Sequence, residues 1–161
     1  MGKILFTGDL HFGHENVLAF DNRPFATVDE MDAELIRRWN NKVGKGDLVY
    51  VLGDLIWKSR NNDAPALIKS LNGQIILIKG NHDRFLHNSK AKSALAGIKD
   101  YDDICVTLED GTQRRVILSH YFNTLFYATE RSFHSDISPA PPHLWRGWSF
   151  KVSVYFFFWT G

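Results

Sequence analysis

The chain has 161 residues and a mass of 18.5 kDa, and is 44% hydrophobic and 23% charged. That length and balance suit one globular domain spanning 1–161 and exclude a wholly disordered, collagen-like or coiled-coil protein. Nineteen basic against 18 acidic side chains leave a net charge of +1, which argues against a broad basic face for nucleic acid.

Lys3-Ile4-Leu5-Phe6-Thr7 is a short apolar run ended by Gly8-Asp9, the pattern of a buried strand entering a loop. Thr27 and Glu30 then form a Thr-x-x-Glu capping box. Met31, Leu35, Trp39 and Val43 recur every four residues, and Gly44 closes the run, so a helix with a core-facing stripe is predicted. Leu48 to Leu52 repeats the strand pattern and ends in Gly53-Asp54. Ala64 to Leu71 reads as a helix stopped by Asn72-Gly73. A third strand, Ile75 to Lys79, ends in Gly80-Asn81-His82-Asp83, and Ser89 to Ala96 reads as a further helix. Ile104 to Leu108 and Arg115 to Leu118, joined by Glu109-Asp110-Gly111-Thr112, predict a hairpin with Asp-Gly at its turn. The lone cysteine, Cys105, lies within that apolar run and is expected as a small buried hydrophobe. Helices alternating with apolar strands, then a hairpin, imply an α/β layered fold whose strand ends gather polar loops on one side.

The composition shifts near the end. Residues 133–161 hold 9 of the 22 aromatics, three of the five prolines and only three charged side chains, Asp136, Arg146 and Lys151. The longest strongly apolar stretch, Val152 to Trp159, is far short of the ~20 residues a membrane helix needs and is expected as a covered strand. Met1-Gly2-Lys3 shows no signal-peptide pattern, so the expected location is the cytoplasm.

The polar residues at the strand ends share one chemistry: Asp9 and His11, then Asp54, then Asn81 and His82, then His120 after Val116-Ile117-Leu118-Ser119. Carboxylate, imidazole and amide oxygen suit first-row divalent ions such as Mn, Fe, Zn, Co or Ni, and the lack of thiols argues against a closed structural zinc site. Parallel neighbouring strands would deliver these side chains to one crevice. Two cations ~3.5–4 Å apart repel, so a bridging carboxylate, here Asp54, and a shared hydroxide are needed between them. Gly53 allows the sharp turn that aims Asp54 inward. Asp9 and His11, two apart on an extended segment, are expected to reach one metal from the same side, and Asn81 and His120 the other. The shared water becomes the nucleophile on a phosphoryl group, and His82 protonates the leaving oxygen. A single Asp-x-His or Gly-Asp is common on ordinary surfaces and turns, and the signal lies in their ordered combination.

In that combination the chain resembles the calcineurin-like metallophosphoesterases, which carry Asp-x-His, Gly-Asp, Gly-Asn-His-Asp/Glu, a later His and a final Gly-His-x-His. The sequence supplies Gly8-Asp9-Leu10-His11, Gly53-Asp54, Gly80-Asn81-His82-Asp83 and Ser119-His120. Asp9-Leu10-His11-Phe12-Gly13-His14-Glu15-Asn16 and Asn22-Arg23-Pro24-Phe25 further resemble a small bacterial and phage-type branch. The resemblance implies a four-layer α/β/β/α sandwich, a dinuclear metal site, and hydrolysis of phosphomonoesters or phosphodiesters. It also implies that Asp9 and His11 bind the first metal, that Asp54 bridges, that Asn81 and His120 bind the second, and that His82 is the acid.

The final Gly-His-x-His is missing. Its nearest analogue, His143-Leu144-Trp145-Arg146-Gly147-Trp148-Ser149-Phe150, puts Trp148 and Phe150 where the histidines would stand, and neither coordinates a metal. Three explanations compete: a frameshifted or truncated reading frame that leaves the sandwich incomplete at this end, recruitment of His134 or His143, or a divergent member binding one metal or none. A catalytically silent metal- or phosphate-binding protein is thus the rival to the enzyme. Arg84 and Arg23 are expected phosphate contacts, because a guanidinium pairs phosphate oxygens bidentately, and His14 is expected to line the pocket or touch phosphate. The expected partner is a small phosphorylated substrate, with neither membrane nor nucleic acid.

Overall fold

The computed structural model describes residues 2–107 and 111–121. Four parallel strands, β1 (Ile4–Thr7), β2 (Leu48–Leu52), β3 (Gln74–Ile78) and β4 (Gly97–Lys99), form one sheet in sequential order. The register pairs Leu5 with Val49, and Val49 with Ile75. Right-handed crossovers between sequentially ordered strands place every connecting helix on the same face. These helices are α1 (Val17–Phe20), α2 (Val28–Lys42), α3 (Ala64–Ser70) and α4 (Ser89–Ala94).

The strand runs are apolar throughout because both faces of this sheet are covered. Leu5, Val49, Val51, Ile75 and Leu77 join Trp39, Val43, Ile68 and Ala91 in a core beneath the helices. Phe6, Tyr50 and Ile78 point the other way, against Val106 and Leu118 of a second, antiparallel sheet, β5 (Asp102–Thr107) and β6 (Gln113–Leu118). The described layers therefore run helix, sheet, sheet, within the α/β class expected. The expected outer helical layer, Leu108, the first half of the expected turn (Glu109 and Asp110), His134, His143, Trp148, Phe150 and the Val152 to Trp159 run lie outside the described residues.

Local signals explain the elements. Thr27 is extended, with φ −138° and ψ 157°, and its hydroxyl accepts from Glu30 N at 3.2 Å. Glu30 returns the bond one residue further back than the capping box prescribes, to Ala26 N at 3.0 Å. Met31, Trp39 and Val43 are buried and Leu35 is partly so, as their spacing predicts. Trp39 Nε1 donates to Asn72 O at 2.9 Å, tying α2 to the turn after α3. Asp47 accepts from Lys3 N at 2.7 Å and Gly44 N at 2.8 Å, joining the start of β1 to the end of α2.

Cys105 corrects one expectation. Ile104 and Val106 face the inter-sheet core, so the period-two alternation of β5 turns Cys105 to the exposed face. Strand β4 and α1 were not anticipated, since Gly97–Lys99 and Val17–Phe20 are too short to carry a periodic signal.

Candidate metal centre

Every expected metal ligand lies just beyond the carboxyl end of a strand, in the loops after β1, β2, β3 and β6. The loops after β1 and β2 continue side by side past the sheet. Asp9 N donates to Gly53 O at 3.1 Å, His11 N to Asp54 O at 2.9 Å and Phe12 N to Leu55 O at 3.0 Å, and Phe12 pairs with Ile56 in a parallel bridge. Asp9 and His11 thus do not sit on an extended segment. Both have left-handed backbones, with φ of 52° and 54°, as does Asp54 at 51°. Three such residues clustered at one place are a backbone cost that surrounding contacts must offset.

Those contacts are in place. Arg23 donates to Asp9 O at 3.0 Å and Leu10 O at 2.9 Å while paired with Asp21, so its guanidinium, expected on phosphate, is engaged in holding this loop. Asp32 accepts from Gly13 N at 2.9 Å. Asp83, buried, accepts from Asp54 N at 3.0 Å, Leu55 N at 2.9 Å and Gly80 N at 2.7 Å, clamping the loops after β2 and β3 together. Burial raises the Asp83 carboxyl above the usual carboxylate range despite these three donors, and burial raises Asp32 likewise.

Asp54, 5% exposed at its side chain, is the centre of the site. Its Oδ2 lies 3.7 Å from His11 Nε2, which is itself 3.7 Å from Asp9 Oδ1. Its Oδ1 lies 3.8 Å from His120 Nε2 and accepts from His82 N at 2.9 Å. Donor atoms of Asp9, His11 and Asp54 fall within 4.8 Å of one another. His11 Nε2 is beyond hydrogen-bonding distance of both carboxylates, an arrangement that fits a cation between the side chains better than an internal bond.

The other half is equally specific. Leu52 O can only accept, so His120 Nδ1, 2.9 Å away, carries the ring proton. The neutral ring then presents the Nε2 lone pair to Asn81 Oδ1, another acceptor, at 3.0 Å. The pair is reconciled by a cation between Nε2 and Oδ1, or by a half-turn of the Asn81 amide that points its NH2 at Nε2. The Leu52 contact is the kind of outer hydrogen bond that orients a ligating histidine. Two glycines make room for this packing: a Cβ on Gly53, whose φ is +84°, would run into the His120 imidazole, and one on Gly80 would sit 2.6 Å from Asp54 N.

His82 Nε2 stands 4.0 Å from Asp54 Oδ2. Arg84 is exposed two residues further on. His14 is buried and stacks on Trp57 with ring centroids 3.8 Å apart and planes 9° apart, and its pKa is lowered by burial and by His11 and His82 nearby. Trp57 is the residue sequence reading passed over. Its ring also reaches His82 at 4.6 Å and His11 at 6.3 Å. The available signal was an aromatic following Gly53-Asp54 directly beyond an apolar run, which by itself reads as core.

The calcineurin-like phosphoesterase family model matches residues 2–147, and the chain belongs to that family. It is 49% identical over 86 residues to an uncharacterized protein from Methanocaldococcus jannaschii, covering 53% of this chain and 49% of that one. It is 34% identical to the Gene 66 protein of Mycobacterium phage D29, over 75% of this chain and 64% of the phage protein. The crystal structure of a protein of unknown function from Aquifex aeolicus superposes with a TM-score of 0.57 at 27% identity, over 75% of this chain and 61% of that one. The chain thus spans about half to two thirds of the length of these relatives. No helix among the described residues is long and apolar enough to cross a membrane.

Proposed function

We propose that the chain is a metal-dependent phosphoesterase that hydrolyses a small phosphomonoester or phosphodiester in the crevice around Asp54. The observation that carries this reading is the convergence of donors on both oxygens of one buried carboxylate, His11 at Oδ2 and His120 at Oδ1. Asp9 and His11 would hold one divalent ion, Asn81 and His120 a second, and Asp54 both. Mn, Fe, Zn, Co or Ni suits that donor set. When bound, the ions supply Lewis-acid stabilisation of phosphoryl charge and lower the pKa of water.

The chain's own residues supply the rest. As a water oxygen bonds to phosphorus and the phosphorus–oxygen bond to the leaving group breaks, His82 gives its proton to the departing oxygen. The proton released by the attacking water returns to the imidazole through solvent. Arg84, exposed two residues after His82, and His14 would contact phosphate, while Arg23 holds the backbone at Asp9 and Leu10. A soluble substrate in the cytoplasm fits this assignment.

One observation favours a silent binding protein instead: the Asn81 amide and His120 Nε2, 3.0 Å apart, satisfy each other without an ion once the amide turns its NH2 toward the ring. Elemental analysis with turnover separates the two. The enzyme is expected to hold two ions per chain and to cleave p-nitrophenyl phosphate or bis-p-nitrophenyl phosphate with Mn²⁺ or Ni²⁺. Asp54→Asn should then lose at least about 100-fold, on the scale of removing a preorganised charge from such a site. One ion or none, with no turnover above the Asp54→Asn background, refutes the enzyme.

A further inference from the structure

We propose that Trp57 is a positioning residue that holds the His82 imidazole against Asp54, ready to give its proton to the leaving oxygen. The inference rests on the phosphoesterase reading above and deepens it. Among the described residues no hydrogen bond reaches the His82 imidazole. Its backbone N is tied to Asp54 Oδ1, but its Nε2 is 4.0 Å from the nearer carboxylate oxygen, beyond hydrogen-bonding range, and its side chain is 38% exposed. A half-exposed ring with no polar tether samples several rotamers unless packing excludes them.

Trp57 supplies that packing. Its indole meets the His82 ring at 4.6 Å with the planes 53° apart, and is backed on the His14 ring at 3.8 Å. The indole is itself well placed to act as a wall. Trp57 N donates to Phe12 O at 2.9 Å, just beyond the Phe12–Ile56 bridge, and Trp57 O accepts from Arg60 N at 3.0 Å. The same run of paired loops carries Asp54, so Trp57 and Asp54 stand on one hydrogen-bonded strip of backbone and the imidazole is close to both. A ring held this way keeps the near-attack geometry on which proton transfer depends.

The reaction separates this role from a merely structural one. A p-nitrophenolate departs without a proton, whereas a phenolate or alkoxide needs one as the phosphorus–oxygen bond breaks. Trp57→Leu is therefore expected to lower kcat on phenyl esters by about tenfold or more, within the range of general-acid catalysis, and on p-nitrophenyl esters by less than about threefold. Bound metal should stay at the wild-type level while Tm falls by a few degrees through loss of the His14 stack, and Trp57→Phe, which keeps a ring, should recover most of the loss in kcat. In a His82→Gln background Trp57→Leu should cost nothing further on the phenyl esters.

Equal losses on both ester classes, or a loss that persists in the His82→Gln background, overturn the role of Trp57 while leaving the phosphoesterase intact. A reading that needs no turnover runs alongside: in metal-free wild-type protein, Trp57 and His82 ring protons should show a nuclear Overhauser contact and a ring-current shift of His82 that disappears in Trp57→Leu. Absence of that contact overturns the proposal whatever the activity. Failure of the wild type to cleave either ester above Asp54→Asn removes the phosphoesterase reading, and this inference with it.

Discussion

Glycine 53 shows how closely single residues are constrained at this site. Its φ of +84° is a conformation that costs an L side chain roughly 1–2 kcal/mol, and the space its Cβ would need is taken by the His120 ring and, at 2.9 Å, by Gly80 Cα. Gly53→Ala is therefore expected to displace His120 from Asn81 and Asp54. Stability should fall by about 2–4 kcal/mol, as strain and overpacking together do. Urea denaturation gives that loss, and titration with Mn²⁺ followed by isothermal calorimetry should show weaker metal binding. An unchanged urea midpoint with unchanged metal affinity would contradict the tight packing of Gly53 on His120. The convergence of Asp54, Asn81 and His120 was legible because their residue types and order are themselves the chemical signal. The left-handed backbones of Asp9, His11 and Asp54 were not, since they arise from pairing between loops that no local pattern records.

Element by element, the helices follow their sequence signals closely, and α2 most of all. Its start rests on Thr27, whose hydroxyl satisfies the otherwise unpaired Glu30 N–H. Thr27→Ala should cost about 1 kcal/mol of stability, the usual worth of an N-cap, whereas Thr27→Ser should be close to neutral. Equal chemical-denaturation midpoints for wild type and Thr27→Ala would show that the cap is dispensable here. The partly buried acceptor Glu34 is bonded by Arg37 and Arg38, which pull its pKa down to about 2, but pairs to such outward-facing arginines contribute little to stability. Cys105 shows the opposite limit of local reading. An apolar run of five residues predicts a strand without saying which face each residue takes, and only the packing of Ile104 and Val106 on Phe6, Tyr50 and Ile78 decides it.

For the molecule as a whole, the response to acid follows from how its carboxylates are held. Lys3 N and Gly44 N keep Asp47 below the ordinary carboxylate range, Lys99 does so for Asp102, and Arg115 for Asp103. A depressed folded-state pKa gives stability that is present above the unfolded value, near 4, and lost as pH falls through the lower folded value. Asp32 and Asp83 have the opposite sign: burial raises them, so their contribution is fullest in acid and declines as pH rises through the raised values. The urea midpoint is expected to fall between pH 6 and pH 3, with Asp47→Asn showing a lower midpoint at pH 6 and a smaller fall. A variant that matches wild type at both pH values would show that Asp47 does not join β1 to α2 in the way its bonds imply.

Sequence alone determined the family resemblance and which donor types stand at which strand ends, because donor types, apolar runs and helix caps are local properties written in residue order. Tertiary structure decided how those donors meet: that Asp54 faces His11 on one side and His120 on the other, that Arg23 and Asp83 brace the loops, and that Trp57 walls in His82. Each of these is a contact between segments distant along the chain, and their geometry exists only once the parallel sheet has brought its loops side by side.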